Sequence, residues 1–253
     1  MNILNFKLFD VDYTVNNSKN HWSGGLGIDK GIWEVETFKV FEYVKNKSKK
    51  TIDIGSWIGP TTIWLSENFQ EVLSIEPDVI ALEELRQNLK LSKCDNVWVL
   101  DKPILSEDID VFFGPNQNLD WLNEQGLGES VSQARLSNED SRDYKVEGIC
   151  LSTLNKTIGN FFPFSEVSFV KVDIEGGEEF ILEDVIKMAE EYKWSLWISF
   201  HIDWWKDKNL ERFRNILNRS KKIKFNSIDF IEEDFDIIEL LSSNPFASVY
   251  IEF

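Results

Sequence analysis

The segment of residues 53–62 constrains the fold more than any other part of the chain. It reads Asp53-Ile-Gly55-Ser-Trp57-Ile-Gly59-Pro-Thr61-Thr62 and lies between a short apolar run and a helical pattern. This order predicts a strand, a glycine turn and a helix in direct succession. Glycines at such a turn let the backbone pass close to a ligand where a Cβ would collide. The segment is therefore typical of the nucleotide-binding turn of α/β sheets.

The rest of the chain alternates strand-like and helix-like segments. That alternation predicts an α/β fold with a doubly wound, mostly parallel sheet and helices on both faces. Apolar runs predict strands at 51–55, 71–75, 96–100, 167–172, 194–200 and 247–253. Apolar residues at helical spacing predict helices over 34–47 and 61–68, and further helices with the apolar faces Leu82/Leu85/Leu89, Ile181/Val185/Met188 and Leu210/Phe213/Leu217.

The pattern divides the chain into an N-terminal cap with an entry helix, residues 1–50, and a main domain, residues 51–253. An insertion of irregular composition at about 101–145 interrupts the main domain, with a glycine-proline turn at Gly114 and a polar run at 137–143. We expect it to hold one or two strands, such as 109–113, and loops. Such stretches are often functional lids and at least as often variable decoration.

The charge balance narrows the class of partner. The 253 residues include 27 Lys and Arg against 44 Asp and Glu, a formal net charge of −17. Nucleic-acid binders need clustered basic residues to neutralise phosphates, so nucleic acid is not expected as a partner, and neither is an anionic membrane surface. Two cysteines fit a reducing compartment. The chain has no signal-like start and no run of about 18 apolar residues, so we expect no membrane insertion and a cytoplasmic location.

The second predicted strand ends in a carboxylate, Glu76, 21 residues after Gly55. An acid at that place can accept hydrogen bonds from the hydroxyls of a ribose. Neither a dinucleotide fingerprint nor a phosphate-gripping Gly-Lys-Ser/Thr motif is present, so the ligand is expected to be nucleoside-like without a pyrophosphate. Asp53 is expected to face the same crevice and attract a cationic amino-acid group. The alternative is a tight turn that binds no ligand.

These motifs resemble the FkbM family of S-adenosylmethionine-dependent methyltransferases. The resemblance extends over residues 33–201 and is carried by Asp-Ile-Gly-Ser-Trp-Ile-Gly-Pro-Thr-Thr at 53–62, Ile-Glu-Pro-Asp at 75–78, Asn-Val at 96–97, Lys-Val-Asp-Ile-Glu-Gly-Gly-Glu at 171–178, Ser-Phe-His at 199–201 and Trp-Glu-x-x-Thr at 33–37. The string at 171–178 is specific, whereas the glycine loop alone would indicate only a superfamily. Two positions depart from the family pattern, Asn155 in place of an aspartate and Ile202 in place of a proline.

The resemblance implies a Rossmann-like class I methyltransferase sheet of seven strands, one of them antiparallel. It implies methyl transfer from S-adenosylmethionine to a hydroxyl, often of a sugar in a glycan or glycolipid, or of a polyketide-type natural product. The cofactor-binding residues implied are Asp53, Gly55, Ser56, Gly59, Thr61 and Glu76, with Asp101 near the adenine.

Methylation of an alcohol requires a base, because an aliphatic hydroxyl is a poor nucleophile until its proton leaves. Ligands of open α/β sheets lie beyond the carboxyl ends of the strands, where Asp173 and Glu175 follow one predicted strand and His201 ends the next. We expect these three residues to be catalytic, with His201 the preferred base and Asp173 as the alternative base or the residue that orients it. Glu178 is expected to be a helix N-terminal acid. Asp173, Glu175 and His201 could also bind magnesium or manganese, although the spacing demands no metal.

The ten tryptophans suggest how an acceptor is bound. Indole rings stack on the flat C–H faces of sugars, and Trp22, Trp33, Trp204 and Trp205 are expected near the mouth of the site. The predicted substrate-binding residues are Trp33, Glu34, Trp204 and Trp205, for a small-molecule or glycan acceptor. Three alternatives stay open: a natural-product acceptor, an amine or carboxyl acceptor, and a methyltransferase-fold module that binds a partner without turnover. A short-chain dehydrogenase is excluded by the position of its catalytic Tyr-x-x-x-Lys pair. Here that pair would be Tyr43 and Lys47, which precede the glycine turn instead of following it.

Overall fold

The computed structural model describes residues 2–115, 132–139, 141–207, 210–217, 222–225 and 236–253. The strands are β1 (Ile3–Leu8), β2 (Val11–Asn16), β3 (Asn46–Ile54), β4 (Phe69–Ile75), β5 (Val97–Leu100), β6 (Ile104–Leu105), β7 (Asp110–Pro115), β8 (Ser132–Arg135), β9 (Tyr144–Glu147), β10 (Ile149–Cys150), β11 (Val167–Val172), β12 (Ser195–Ser199), β13 (Lys222–Phe225) and β14 (Ser248–Glu252). The helices are α1 (Val35–Val44), α2 (Pro60–Asn68), α3 (Val79–Leu91), α4 (Leu151–Ile158), α5 (Glu178–Tyr192), α6 (Glu211–Leu217) and α7 (Ile237–Ser243).

The central sheet has the strand order β13-β14-β12-β11-β3-β4-β5 among the described residues. Strands β12, β11, β3, β4 and β5 pair in parallel, whereas β14 is antiparallel to both of its neighbours. The doubly wound, mostly parallel α/β class is thereby confirmed, and so is the single antiparallel strand that the resemblance implied. Because β3, β4 and β11 run in the same direction, their carboxyl ends meet at one edge of the sheet.

Two hydrophobic clusters cover the two faces of this sheet. One contains residues of the β1–β2 hairpin and of α1, α2 and α3; the other contains residues of α4 to α7. Side chains of a strand alternate between the faces, so Phe169 of β11 belongs to the first cluster and Val170 to the second. Helices on both faces were predicted from the alternation of elements and are confirmed.

Two regions outside the main sheet flank the site. Strands β1 and β2 form an antiparallel hairpin, and the hydroxyl of Tyr13 donates to the carbonyl of Pro60 at the start of α2 over 2.7 Å. Strand β3 already begins at Asn46, before the boundary predicted at residue 51, because its amino end pairs with β4. The predicted insertion contributes the three-stranded antiparallel sheet β8-β7-β9. Its residues 116–131 and 140 lie outside the described residues, and its role as a lid stays a prediction.

None of the described helices is long and apolar enough to span a membrane.

Candidate active site

A cavity that opens to solvent lies at the carboxyl ends of β3, β4 and β11. The glycine turn after β3 forms one wall, and the insertion contributes Phe113, Ser132 and Ala134 to another. The residues of the wall include Trp33, Glu34, Gly55, Ser56, Trp57, Thr61, Glu76, Lys171, Asp173 and Glu175.

The two glycines of the turn are required by the packing of the protein itself. Gly55 has φ +86°, and a Cβ there would lie 1.8 Å from the carbonyl oxygen of Asp173. Gly59 has φ +104°, and its Cβ would lie 2.9 Å from a methyl carbon of Leu85. Gly55 therefore excludes a side chain for two independent reasons, backbone conformation and a backbone oxygen in the way, whereas at Gly59 the backbone conformation is the main reason. Of the two, only Gly55 also lines the cavity.

Asp53 does not face the cavity, contrary to the expectation from the sequence. Its side chain is fully buried, and its Oδ2 accepts hydrogen bonds from the hydroxyls of Thr61 over 2.8 Å and Thr62 over 2.7 Å. Its Oδ1 lies 3.4 Å from the Nζ of Lys171. The carboxylate is directed inward because these groups surround it. It supports the turn from behind, and its role in cofactor binding stays a prediction.

Ser56 has a similar supporting place, although it also lines the cavity. Its hydroxyl donates to the carbonyl of Asp53 over 3.0 Å and accepts from the hydroxyl of Ser74 over 2.7 Å. Because both contacts are within the protein, the hydroxyl joins the turn to β4.

Glu76 lies where the sequence placed it, at the end of β4 and in the cavity wall. One carboxylate oxygen accepts the backbone N–H of Trp57 over 2.7 Å, and the other accepts that of Asp78 over 2.8 Å. Burial raises its pKa to about 8, an effect that these two N–H groups partly offset. A carboxylate has about four acceptor sites, so two hydrogen bonds leave capacity for the hydroxyls of a ribose.

Asp101 lies away from the cavity wall. Its side chain is 55% exposed and pairs with Arg86 at 3.4 Å. The chain after β5 directs this carboxylate toward Arg86 of α3 and solvent, and its place near an adenine stays a prediction.

Asp173, Glu175, Glu178 and His201 form what we call the carboxylate–histidine cluster. The imidazole Nε2 of His201 lies 3.4 Å from Glu175 Oε2 and 3.8 Å from Asp173 Oδ1, and the Nδ1 lies 3.1 Å from Glu178 Oε1. Glu178 is fully buried and also accepts from the indole N–H of Trp205 over 2.9 Å. The sequence predicted that Asp173, Glu175 and His201 would meet, and the structure places them together.

The electrostatics of the cluster bear on which residue can act as a base. Burial by itself would lower the pKa of His201, but Glu178, Glu175 and Asp173 outweigh it and raise the pKa to about 10. The protein alone therefore holds an imidazolium at neutral pH, and an imidazolium cannot accept a proton. Burial raises the pKa of Glu175 to about 8, an effect reinforced by Asp173 and Glu178 and opposed by His201.

Glu34 and Lys171 complete the polar wall of the cavity. Burial raises the pKa of Glu34 to about 8, reinforced by Asp173 and opposed by Lys171. Lys171 is 2% exposed; its Nζ donates to the carbonyl of Gly55 over 2.8 Å and lies 3.5 Å from Asp173 Oδ2. The pKa of this lysine is raised, because the attraction of Asp53, Asp173 and Glu34 exceeds the effect of burial. The sequence interpretation assigned it no role, although a lysine inside an apolar strand is a signal in itself.

The tryptophans predicted to form a rim divide into two groups. Trp33 lines the cavity, and Trp204 is partly exposed and stacks on His201 with ring centroids 5.0 Å apart and an interplanar angle of 10°. Trp205 is 3% exposed and Trp22 is fully buried, so neither ring can stack on a sugar, contrary to the prediction. Trp205 is instead fixed by its bond to Glu178. The sequence interpretation missed Phe246, which is 49% exposed and lies edge-on to Trp204 at 5.4 Å.

The sequence matches no protein-family model and no curated protein. Among solved structures, the chain is similar to FkbM methyltransferase of Methylobacillus flagellatus KT, with 17% identity, a TM-score of 0.48 and coverage of 81% of this chain and 44% of that one. It is similar to TYW2 of M. jannaschii in complex with AdoMet, with 12% identity, a TM-score of 0.46 and coverage of 99% and 84%. It is similar to an O-methyltransferase of Bacillus cereus in complex with SAH, with 10% identity, a TM-score of 0.45 and coverage of 86% and 78%. A complex of aTrm5 with tRNALeu also matches. The chain thus spans less than half the length of the FkbM methyltransferase.

Proposed function

We propose that this protein is an S-adenosylmethionine-dependent O-methyltransferase that acts on a hydroxyl of a sugar in a glycan or glycoconjugate. The observation that carries the proposal is the composition of one cavity wall. The glycine turn at Gly55, the ribose-competent carboxylate of Glu76 and the acidic groups Asp173 and Glu175 line the same space. A nucleoside-containing cofactor and the acceptor's reacting atom can therefore lie side by side.

The residues present fit the cofactor. Glu76 retains acceptor sites for ribose hydroxyls, and Gly55 lines the same cavity. The side chains of Glu34, Asp173 and Glu175 surround the same space, and in their ionised forms they would attract a sulfonium and an ammonium group. When bound, S-adenosylmethionine supplies an electrophilic methyl group to an in-line displacement.

The protein must align the acceptor and receive its proton. As the new O–CH₃ bond forms and the S–CH₃ bond breaks, the hydroxyl proton passes to an ionised carboxylate of the wall. Asp173 is the first candidate, because a pKa raised to about 8 leaves Glu34 largely protonated at neutral pH. Lys171 restrains Asp173, since its ammonium joins that carboxylate to the carbonyl of Gly55. His201 was the preferred base on sequence grounds; its raised pKa favours a positioning role for it in the protein alone.

A sugar acceptor is supported by the aromatic groups at the site. Trp33 lies in the cavity wall, and Trp204 with Phe246 presents a partly exposed aromatic surface beside His201. Rings of this kind bind the flat faces of sugars at small conformational cost. We infer a neutral acceptor and no nucleic acid, since the net charge of −17 disfavours phosphates. Two free cysteines fit a cytoplasmic location.

Cofactor binding is the first test. Titration calorimetry with S-adenosylhomocysteine should give saturable binding that Glu76→Ala weakens at least about tenfold, the loss of one or two charge-assisted hydrogen bonds. The control Glu183→Gln alters an exposed carboxylate of α5 and should bind as the wild type does. Absence of binding in the folded wild type would refute the proposal.

Acceptor identity is the second test. The protein is incubated with labelled S-adenosylmethionine and a panel of sugars and glycans, and mass spectrometry looks for the gain of one methyl group on oxygen. Methyl transfer to nitrogen or carboxyl would refute the O-methyl assignment. Binding of the cofactor without any transfer would favour the alternative of a module without turnover. His201→Ala should abolish transfer while retaining S-adenosylhomocysteine binding.

A further inference from the structure

Glu178 fixes which nitrogen of His201 faces the cavity side of the cluster. Its carboxylate is fully buried and is held by the backbone N–H of Ile174 and of Gly176, each over 3.2 Å, and by the indole of Trp205. Its Oε1 lies 3.1 Å from His201 Nδ1. A carboxylate can only accept, so Nδ1 carries a proton and the ring is oriented with Nε2 toward Asp173 and Glu175. Histidines that ligate metals have this arrangement, with the second nitrogen bonded to a carboxylate.

The three groups that converge on the other side of the ring have the spacing of metal ligands. Nε2 of His201 and one oxygen each of Asp173 and Glu175 all lie within 4.8 Å of one another. The two separations from Nε2 are 3.4 Å and 3.8 Å. Two ligands about 2.1 Å from one ion are separated by about 3.0 Å at a right angle and by about 4.2 Å on opposite sides. Both separations fall between these limits.

An oxygen of this group lacks a hydrogen bond. Glu175 Oε2 is a buried atom that no donor of the described residues satisfies, although it faces the imidazole. Glu175 is itself held at φ +57°, a conformation that a non-glycine residue adopts only where its surroundings enforce it. The insertion contributes to that enforcement, because the side-chain amide of Gln133 donates to the Glu175 carbonyl.

Acidic side chains outnumber basic ones around this place. Glu34, Asp173 and Glu175 line the cavity and Glu178 lies behind them, whereas the basic partners of this set among the described residues are Lys171 and His201. Lys171 Nζ lies 3.5 Å from Asp173 Oδ2, and His201 Nε2 lies beside Asp173 Oδ1 and Glu175 Oε2. Because a metal ligand must be deprotonated, an ion at this place would replace the Nε2 proton of the imidazolium.

We propose that Asp173, Glu175 and His201 bind a divalent cation of the magnesium or manganese class. Two carboxylate oxygens and one imidazole nitrogen, without a thiolate, suit these hard ions. Three protein ligands leave coordination positions open toward the cavity, where water or a substrate oxygen can bind. Glu178 positions His201 for this ion and is not itself a ligand.

The role of the ion rests on the proposed function. A hydroxyl that binds a divalent cation loses its proton more readily, and the cation also orients it toward the cofactor's methyl group. With Asp173 engaged by the ion, Glu34 in its ionised form is the wall group that receives the proton. The O–CH₃ bond then forms as the bond between methyl carbon and sulfur breaks, and the sulfur retains that electron pair.

The test uses Mn²⁺ as the probe and a readout that does not depend on activity. The full chain is stripped with a chelator and titrated with MnCl₂, and the signal of free Mn²⁺ is followed by electron paramagnetic resonance. We expect saturable binding of one ion per chain that Mg²⁺ displaces. Glu175→Gln should weaken it at least about tenfold. Glu178→Gln, which removes the negative charge beside His201 Nδ1 but none of the three proposed ligands, should weaken it by about 10- to 100-fold. The exposed control Glu183→Gln should bind as the wild type does.

Two results would overturn the proposal: no saturable Mn²⁺ binding by the wild type at millimolar concentration, or an affinity that Glu175→Gln leaves unchanged. Circular dichroism tests whether each variant is folded. If a carboxylate variant is not folded, His201→Gln is used in its place. Titration with S-adenosylhomocysteine on the same preparation separates the two proposals. Cofactor binding without Mn²⁺ binding refutes the metal site alone, and Mn²⁺ binding without cofactor binding refutes the proposed function alone.

Discussion

Replacement of Lys171 by methionine should destabilise the protein strongly. The ammonium of Lys171 is 2% exposed and lies 3.4 Å from Asp53 Oδ1 and 3.5 Å from Asp173 Oδ2, and it donates to the Gly55 carbonyl over 2.8 Å. At an effective dielectric constant of about 20, each ion pair at this distance is worth about 5 kcal/mol before desolvation. Methionine fills most of the same volume but leaves two carboxylates without their cation. Removal of one partner from a buried pair typically costs about 3–5 kcal/mol.

The assay is urea unfolding of the protein in the presence of a metal chelator, followed by tryptophan fluorescence and far-ultraviolet circular dichroism. A loss of about 3–5 kcal/mol corresponds to a decrease in Tm of about 10 °C for a chain of this length. The matched control is Lys187→Met on α5, where the lysine is 55% exposed and pairs with Glu183 at 2.8 Å. That variant should lose less than about 0.5 kcal/mol. If Lys171→Met were within about 1 kcal/mol of the wild type, the claim that Lys171 joins the turn to the cluster would be wrong.

Three further variants test the turn, the ribose-competent acid and a helix start. Gly55→Ala should cost about 3 kcal/mol or more in urea unfolding, because its Cβ would lie 1.8 Å from the Asp173 carbonyl at φ +86°, whereas Gly25→Ala, with no atom within 4 Å, should be close to neutral. Burial raises the folded-state pKa of Glu76 from 4.5 to about 8, so its contribution to stability is present below about pH 4.5 and is lost as the pH rises through 8. Glu76→Gln should therefore flatten the pH dependence of the unfolding free energy in that window, and an unchanged slope would contradict the assignment. Asp78 caps α3 by accepting from two backbone N–H groups over 2.8 and 3.1 Å, so Asp78→Ala should cost about 1 kcal/mol or more in the same assay, and a neutral result would show that the cap is dispensable.

Most elements of the sheet could be predicted because buried parallel strands read as short apolar runs. The strand predicted at 167–172 coincides with Val167–Val172, and the helix with Ile181, Val185 and Met188 on one face is α5. The amino end of β3 was missed, because Asn46 to Lys49 is polar and exposed and is a strand only through its pairing with β4.

The meeting of Asp173, Glu175 and His201 was predictable for a topological reason. These residues follow the carboxyl ends of β11 and β12, which are parallel neighbours, so the sheet brings them to one edge. Their chemical roles stay predictions. The directions of side chains were not predictable in the same way. Asp53 faces inward and Trp205 is buried because Lys171 and Glu178, distant in sequence, provide their partners.

The sequence by itself determined the class of fold, the place of the glycine turn and the edge of the sheet at which polar groups meet. Those properties depend on local periodicity and on the direction of successive parallel strands, both of which a single chain displays. Tertiary structure alone decided which carboxylates face the cavity, which are neutralised from behind by Lys171, and which nitrogen of His201 is presented beside Asp173 and Glu175. The reason is that burial, ion pairing and side-chain direction depend on contacts between segments more than a hundred residues apart, such as Lys171 with Gly55.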